Sequence, residues 1–403
     1  MRQNSVFREL AARIDGHLFH GKVIVLYGAR QVGKTTLARE LLAKHHKESL
    51  YLTCDEPDVR DAFANKSLVQ IRRFLGPIRF LVLDEAQRVD GIGISLKLIA
   101  DGWPELQVLA TGSSSFELGS RLREPLTGRK FEFWLPPLTM RELATSNGVL
   151  ETRRLLEHRI LYGMYPEVTT LGGPQGRARL VELAQSYLHT DLLTFRNIRN
   201  PAMLEKLIQA LALQIGQEVS TTELGNLVGI DKNTVADYLR ILQQAFVVFV
   251  LPPFSRNRRN ELKKMSKVYF WDTGMRNAVL GSFQSLDLRT DKGALWENFL
   301  LSERLKNHAN GQRDVRAHFW RTTSQQKIDF LEEENGRLRA FEIKSSPVRW
   351  KPPASFLESY PGTPCTQVNR DNWEEFLLKP ESVTAKESGA DSTPTSPKSR
   401  IRP

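Results

Sequence analysis

The sequence predicts an α/β fold, a doubly wound parallel sheet around a phosphate-binding loop, followed by helices and a smaller α/β unit. Three observations lead there. Gly28-Ala29-Arg30-Gln31-Val32-Gly33-Lys34-Thr35 is a complete GxxxxGK[ST] loop between an apolar run, Val23 to Tyr27, and an amphipathic stretch, Thr36 to Lys44. A second apolar run, Phe80 to Leu83, ends in Asp84-Glu85. Near the other end of the chain, Asp329 and the alternating Glu342-Ile343-Lys344 fall on strand-like segments.

Taken in order, Val23 to Tyr27 reads as a buried parallel strand. The glycine turn after it can wrap backbone N–H groups around a β-phosphate, and the following helix start adds partial positive charge. Gly28 to Thr36, including Thr36 itself, are therefore the expected contacts of a nucleoside triphosphate. Lys34 would reach the β- and γ-phosphates and the Thr35 hydroxyl would hold Mg²⁺. Ser49 to Thr53 supplies another strand. Asp84 ends the acidic strand on the edge where ligands of open parallel sheets gather, placed to hold Mg²⁺ directly or through water. Glu85 is placed to polarise the attacking water. The acid pair favours ATP hydrolysis over transfer to a metabolite. Leu106 to Ala110 is a further strand, and beyond it Thr111 or Ser113 either orients that water or simply forms a turn. Arg121, Arg123 and Arg129 precede the strand Phe131 to Trp134. Arg129 is the preferred γ-phosphate arginine, acting in cis or, in a homo-oligomer, on a neighbour.

Residues 151–215 show helical spacing, with Gly172-Gly-Pro-Gln-Gly176 as a break. Ser220-Thr-Thr-Glu223 is a capping box, Gly229 stops that helix and Asp231 caps the next, which is helix-turn-helix spacing. Phe246 to Leu251 and Val268 to Trp271 would be the strands of a wing. Between them, Arg256, Arg258, Arg259, Lys263, Lys264 and Lys267 face one acid, which suits phosphate contacts without base-specific reading, while a protein-contact role stays open. The last folded part has a restriction-nuclease-like pattern. Glu297 sits on a helix from Ala294 to Leu305, two strands follow, and Asp329 with Glu342 could hold one Mg²⁺ while Lys344 acts on hydroxide or phosphate. An exposed cross-strand ion pair would give the same spacing.

These motifs together resemble prokaryotic AAA-type ATP-binding proteins with a C-terminal domain of unknown function. The resemblance rests on Gly28 to Thr35, Leu83-Asp-Glu-Ala-Gln87, Thr111-Gly-Ser-Ser-Ser115 and Leu126-Thr-Gly-Arg129, and it continues through Tyr162-Gly-Met-Tyr-Pro166, Tyr269-Phe-Trp-Asp-Thr-Gly274 and Glu342-Ile-Lys344. It implies an ATPase core, a small helical lid, and ATP with Mg²⁺ as ligands. One departure stands out: such relatives carry an acid two positions before the aspartate, and here Lys327 stands there, so cleavage is open.

The expected organisation is a P-loop core over 1–150, a helical lid over 151–215, a winged helix-turn-helix over 216–280, a nuclease-like domain over 281–378 and a disordered tail over 379–403. Apolar residues at 40% and charged residues at 26% fit a globular chain, and no run is long enough to span a bilayer. Two cysteines exclude a disulfide framework or zinc cluster and, with no signal-like start, lead us to expect a cytoplasmic protein. A net charge of +11 suits an anionic partner. The leading expectation is a Mg²⁺-dependent ATPase whose nucleotide state is coupled to a DNA-contacting, nuclease-like module. The alternatives are a nucleotide-switched protein scaffold and an ATP-regulated DNA nuclease; no protein partner is specified.

Overall fold

The computed structural model describes residues 6–45, 47–113, 126–187, 198, 200–255 and 265–379. Arg121, Arg123, the basic segment from Arg256 to Lys264 and the tail from Pro380 lie outside the described residues. The first sheet contains β1 (Val23–Tyr27), β2 (Ser49–Thr53), β3 (Phe80–Asp84), β4 (Gln107–Gly112) and β5 (Lys130–Trp134). Its order is β2-β3-β4-β1-β5 and every pair is parallel. The unbroken apolar runs of β1 and β3 follow from this, because both faces of the sheet are covered by apolar side chains. On one face lie Leu37 and Leu41 of the helix Lys34–Lys44, and on the other Val59, Phe63, Ile71 and Leu96. Since all strands run the same way, the loop after β1 and the ends of β3 and β4 share one edge of the sheet.

The middle of the chain is helical, with Met140–Asn147, Val149–Arg154, Leu156–Tyr162, Pro166–Leu171, Gly173–Ser186 and Pro201–Leu213. The break expected over residues 172–176 is narrower than the composition suggests. Only Gly172, at φ 61°, lies outside a helix; Pro174 falls in the first turn of Gly173–Ser186, where its missing N–H is no loss. Next come β6 (Glu218–Val219), the helices Thr221–Val228 and Lys232–Gln244, β7 (Val248–Leu251) and β8 (Ser266–Phe270). The Ser220 hydroxyl caps the first helix on Glu223 N, and the Asp231 carboxylate caps the second on Asn233 N and Thr234 N. Gly229, at φ 84°, makes the turn between them. The three strands form an antiparallel sheet in the order β6-β8-β7.

The last sheet holds β9 (Arg316–Arg321), β10 (Lys327–Glu334), β11 (Arg337–Ile343) and β12 (Cys365–Val368), in the order β12-β11-β10-β9. The helix Lys292–Asn310 runs through the junction of all these parts and is buried on most sides. One apolar core extends without interruption from Leu10 through Leu180, Leu242 and Phe299 to Leu377. The phosphate-binding sheet is therefore packed into the same interior as the C-terminal sheet.

Candidate functional site

Three connected strand ends build the first site. Gly28 admits no side chain, because a Cβ there would lie 2.3 Å from the carbonyl oxygen of Leu135. Gln31 and Gly33 take left-handed backbone, at φ 62° and 98°, which curls the loop ahead of the helix Lys34–Lys44. Lys34 is buried and its ammonium donates to the loop's own carbonyls, Gly28 O at 3.0 Å and Ala29 O at 2.9 Å. Thr35 Oγ1 donates to Asp84 Oδ2 at 2.8 Å. A hydroxyl and a carboxylate so placed are hard oxygen donors on the same edge as the loop, a set that fits Mg²⁺.

Asp84 is the hub of this edge. Besides Thr35 it accepts from the hydroxyl of Thr111 on β4 and from Tyr51 OH on β2 at 2.6 Å. Burial and the Asp84 carboxylate push the Tyr51 phenol up to about 12, so it stays a donor. Glu85 has left-handed backbone, φ 53°, and its N–H donates to Thr111 Oγ1 at 3.2 Å. The Gln87 amide donates to Glu85 Oε2 at 2.5 Å and to Ser113 Oγ at 3.1 Å. Thr111 thus bonds both Asp84 and the Glu85 N–H, while Ser113 reaches Glu85 only through the shared Gln87 amide. Arg30 and Thr36 lie in the loop and first helical turn, half-buried and exposed respectively.

Four residues of this site escape the motif. Tyr51 and Gln87 are two. The third is Arg8, itself buried, which donates to Val32 O of the loop at 2.8 Å, to Pro136 O at 2.6 Å and to Glu142 Oε1 at 3.1 Å. The fourth is Arg179 on the helix Gly173–Ser186, whose guanidinium donates to Gln31 Oε1 at 3.1 Å. An arginine within reach of the loop was expected at Arg129, and that expectation is corrected for the single chain. Arg129 immediately precedes β5, its carbonyl accepts from Val23 N, and it pairs with Asp101 at 2.5 Å. It sits on the opposite edge of the parallel sheet from Gly28. Gln87 follows Glu85 by two residues and was the only one of the four with a signal near the motif; the others depend on tertiary packing.

The second cluster lies in the last sheet. Asp329 and Glu342 are buried on β10 and β11, with Lys344 just past the end of β11. Both oxygens of Asp329 are engaged, Oδ1 by Lys327 Nζ at 2.9 Å and Oδ2 by Ile343 N at 3.1 Å. Lys344 Nζ donates to Glu342 Oε1 at 2.5 Å. Glu297 instead accepts from Tyr269 OH and from Lys267 at 3.1 Å. Burial would raise the Asp329 carboxyl, but the ammonium groups of Lys327, Lys267 and Lys344 outweigh it and hold it below the usual range. Burial and Asp329 push Glu342 above that range. Among the described residues no three His, Cys, Asp or Glu side chains converge as a metal-holding group. The ammonium groups of Lys327 and Lys344 hold the two carboxylates expected to bind Mg²⁺, so an ion at Asp329 and Glu342 would have to displace them. Glu342 is also too buried for the exposed ion pair that was the alternative.

Fold and first site define the class, an AAA-type P-loop ATPase fold. Residues 20–144 match the family model described as AAA domain, and residues 153–286 and 292–371 match two domains of unknown function, DUF8612 and DUF4143. The chain is 30% identical over 342 residues to an uncharacterized protein of Mycobacterium tuberculosis, covering 84% of this chain and 73% of that one. It belongs to the family of that protein. An uncharacterized protein of Methanocaldococcus jannaschii is 24% identical over 310 residues, 72% of this chain and 68% of its own length. Among solved structures, the Thermotoga maritima RuvB Holliday junction branch migration motor aligns at 16% identity and a TM-score of 0.29, over 64% of this chain and 95% of that one. Among the described residues no helix is long and apolar enough to cross a membrane.

Proposed function

We propose that this protein hydrolyses ATP with Mg²⁺ and uses the nucleotide state to control a DNA-contacting C-terminal half. The observation that carries the ATPase reading is the Thr35–Asp84 pair at 2.8 Å, with Lys34 and Glu85 on the same sheet edge. Thr35 and Asp84 would hold Mg²⁺, which when bound neutralises charge on the β- and γ-phosphates. Lys34 exchanges its two loop carbonyls for phosphate oxygens. Glu85 accepts a proton from water as that water attacks the γ-phosphorus, with ADP leaving from the far side. Gln87 holds Glu85, so Glu85 must leave this amide, or share it, to reach the water. Arg179, which touches Gln31 of the loop, is a second cation for the γ-phosphate beside Lys34 and would exchange its pairs with Glu167 and Glu182 for it.

The finer reading concerns the rest of the chain. We take residues 201–270 as a winged helix, supported by the order helix, β6, two capped helices, β7, β8. We take the last sheet as a nuclease-derived domain without metal-dependent cleavage, given how Lys327 occupies Asp329. Two physical links support coupling. Tyr27, next to the loop, stacks on Phe246 at 5.9 Å, Phe246 on Trp134 at 5.3 Å, and Trp134 meets Trp271 at 4.4 Å. Phe249 continues to Tyr269, whose hydroxyl reaches Glu297. On the other side, Arg8 ties Val32 to Glu142, Met140 N donates to Glu303 Oε2 at 2.6 Å, and Lys306 Nζ donates to Leu138 O at 3.1 Å. The test is the ATPase rate of the full chain with and without DNA. Stimulation by DNA supports the coupled reading, and turnover indifferent to DNA favours a protein-binding switch.

A further inference from the structure

The edge of the first sheet opposite the nucleotide loop carries a pattern that the proposed reaction does not use. A cation stands at the start of four of its five strands: Lys47 before β2, Arg79 before β3, Lys22 before β1 and Lys130 opening β5. At about 4.8 Å between neighbouring strands, four spacings make this row roughly 19 Å long. Lys130 pairs with Glu132, Arg129 with Asp101, and Lys44 and His45 with Asp15. Among the described residues no acid pairs with Lys47, Arg79 or Lys22, although Glu48 lines the same hollow and Glu105 stands two residues before β4. Beside these cations is an exposed aromatic. Phe19 is 47% exposed and sits edge-on to His45 at 5.4 Å and Phe80 at 6.0 Å. Its backbone is left-handed, φ 62°, a costly state for a bulky residue, and its N–H is held by Gln107 Oε1 at 2.6 Å. Phe19, Lys44, Lys47, Arg79 and Phe80 surround a hollow of about 950 Å³.

We infer that this edge is a binding site for single-stranded nucleic acid, with Phe19 as a stacking platform for a base and Lys47 and Arg79 on flanking phosphates. Every base offers a π-face, and a strand offers a negative charge every few ångströms, so an aromatic beside Lys47 and Arg79, with which no acid among the described residues pairs, fits both parts of that ligand. An acidic polypeptide would satisfy the cations and leave the strained, exposed Phe19 without a purpose. The site uses none of the residues from Arg256 to Lys264 and does not rest on the coupled ATPase reading.

The experiment is fluorescence anisotropy of the full chain with a labelled 20-nucleotide oligo-dT across a salt series. To separate this edge from the basic segment of the sequence, it is run in the parent and in a chain with Arg256, Arg258, Arg259, Lys263 and Lys264 changed to Ala. In both, Phe19→Ala should weaken binding roughly 5- to 150-fold, the equivalent of one lost base stack, while Phe19→Trp should retain it, which guards against misfolding. Lys47→Ala with Arg79→Ala should flatten the log–log salt slope by about 1.4. If Phe19→Ala and Phe19→Trp both bind within twofold of their own background, the inference fails. It also fails if poly-glutamate displaces the probe as well as unlabelled oligo-dT does, which would make the edge an acidic-polypeptide site.

Discussion

Asp84 accepts three hydroxyl hydrogen bonds, and that number sets what single substitutions should do. Tyr51→Phe removes one donor from the oxygen that Thr35 also uses. Because a hydrogen bond to a charged group contributes ~1.5–3 kcal/mol, the Mg²⁺ concentration for half-maximal turnover should fall roughly 10- to 150-fold; a magnesium titration of the ATPase rate reads it, and an unchanged midpoint would show that Tyr51 does not compete with the ion. Glu85→Gln should bind ATP but lose roughly 10²–10⁴-fold in turnover, since only the base is removed. Lys34→Ala should lose tight nucleotide binding, and parental turnover in Glu85→Gln would remove Glu85 from its role. At this scale the nucleotide loop was legible because nine consecutive residues carry it. Tyr51 and Arg8 were not, because each becomes a site residue only through a partner 33 residues away for Tyr51 and 24 away for Arg8. Lys327 shows the intermediate case: its identity flagged a departure in the sequence, and its geometry shows the consequence. Lys327→Glu should create a Mn²⁺ site on Asp329 and Glu342 that calorimetry without nucleotide detects, whereas parental Mn²⁺ binding lost on Asp329→Asn would mean the lysine moves aside.

Among elements, the segment from Pro136 to Glu142 links the nucleotide loop to the helix Lys292–Asn310. Thr139 and Glu142 form a full capping box for the helix Met140–Asn147, and Glu142 is completely buried. The same carboxylate accepts from Arg8 and from Asn310 Nδ2 at 3.4 Å. Arg8→Ala should therefore leave a buried carboxylate uncompensated and destabilise the chain by about 3–5 kcal/mol. Arg8→Lys retains the charge but loses the fork that bridges Val32, Pro136 and Glu142, so it should spare most of the stability and raise the KM for ATP. Chemical denaturation and steady-state kinetics separate the two effects. Equal KM values in Arg8→Lys and the parent would reduce Arg8 to a purely structural residue. Elements with a strong local signal were legible here: the apolar strands, the Ser220 and Asp231 caps, the Gly229 turn. Arg129 was misplaced because a P-loop motif gives no direction for β5, and only the parallel pairing of β5 with β1 puts its start on the far edge.

For the whole molecule, one shared core is the main constraint on mechanism. The nucleotide loop and the C-terminal sheet cannot move independently without opening the interior that runs from Leu10 to Leu377. Phe246 is the narrowest point of the aromatic contact between them, stacking on Tyr27 and Trp134 with a left-handed backbone, φ 57°. Phe246→Leu keeps an apolar side chain there and removes both stacks, each worth ~0.5–1.5 kcal/mol beyond burial. If nucleotide state reaches the proposed DNA-contacting half through these rings, DNA stimulation of the ATPase should largely vanish in Phe246→Leu while the rate without DNA stays within a fewfold of the parent. DNA affinity measured without nucleotide should be unchanged, because the cations proposed to meet phosphate are untouched. The discriminating quantity is the ratio of DNA affinities with ATP and without it, measured in the hydrolysis-blocked Glu85→Gln background. Linkage requires that ratio to equal the ratio of ATP affinities with and without DNA. A parental ratio different from one that collapses to one in Phe246→Leu places the coupling on the aromatic contact. A ratio that survives the substitution instead assigns the coupling to the Arg8–Glu142 side, where Arg8→Lys should then abolish it.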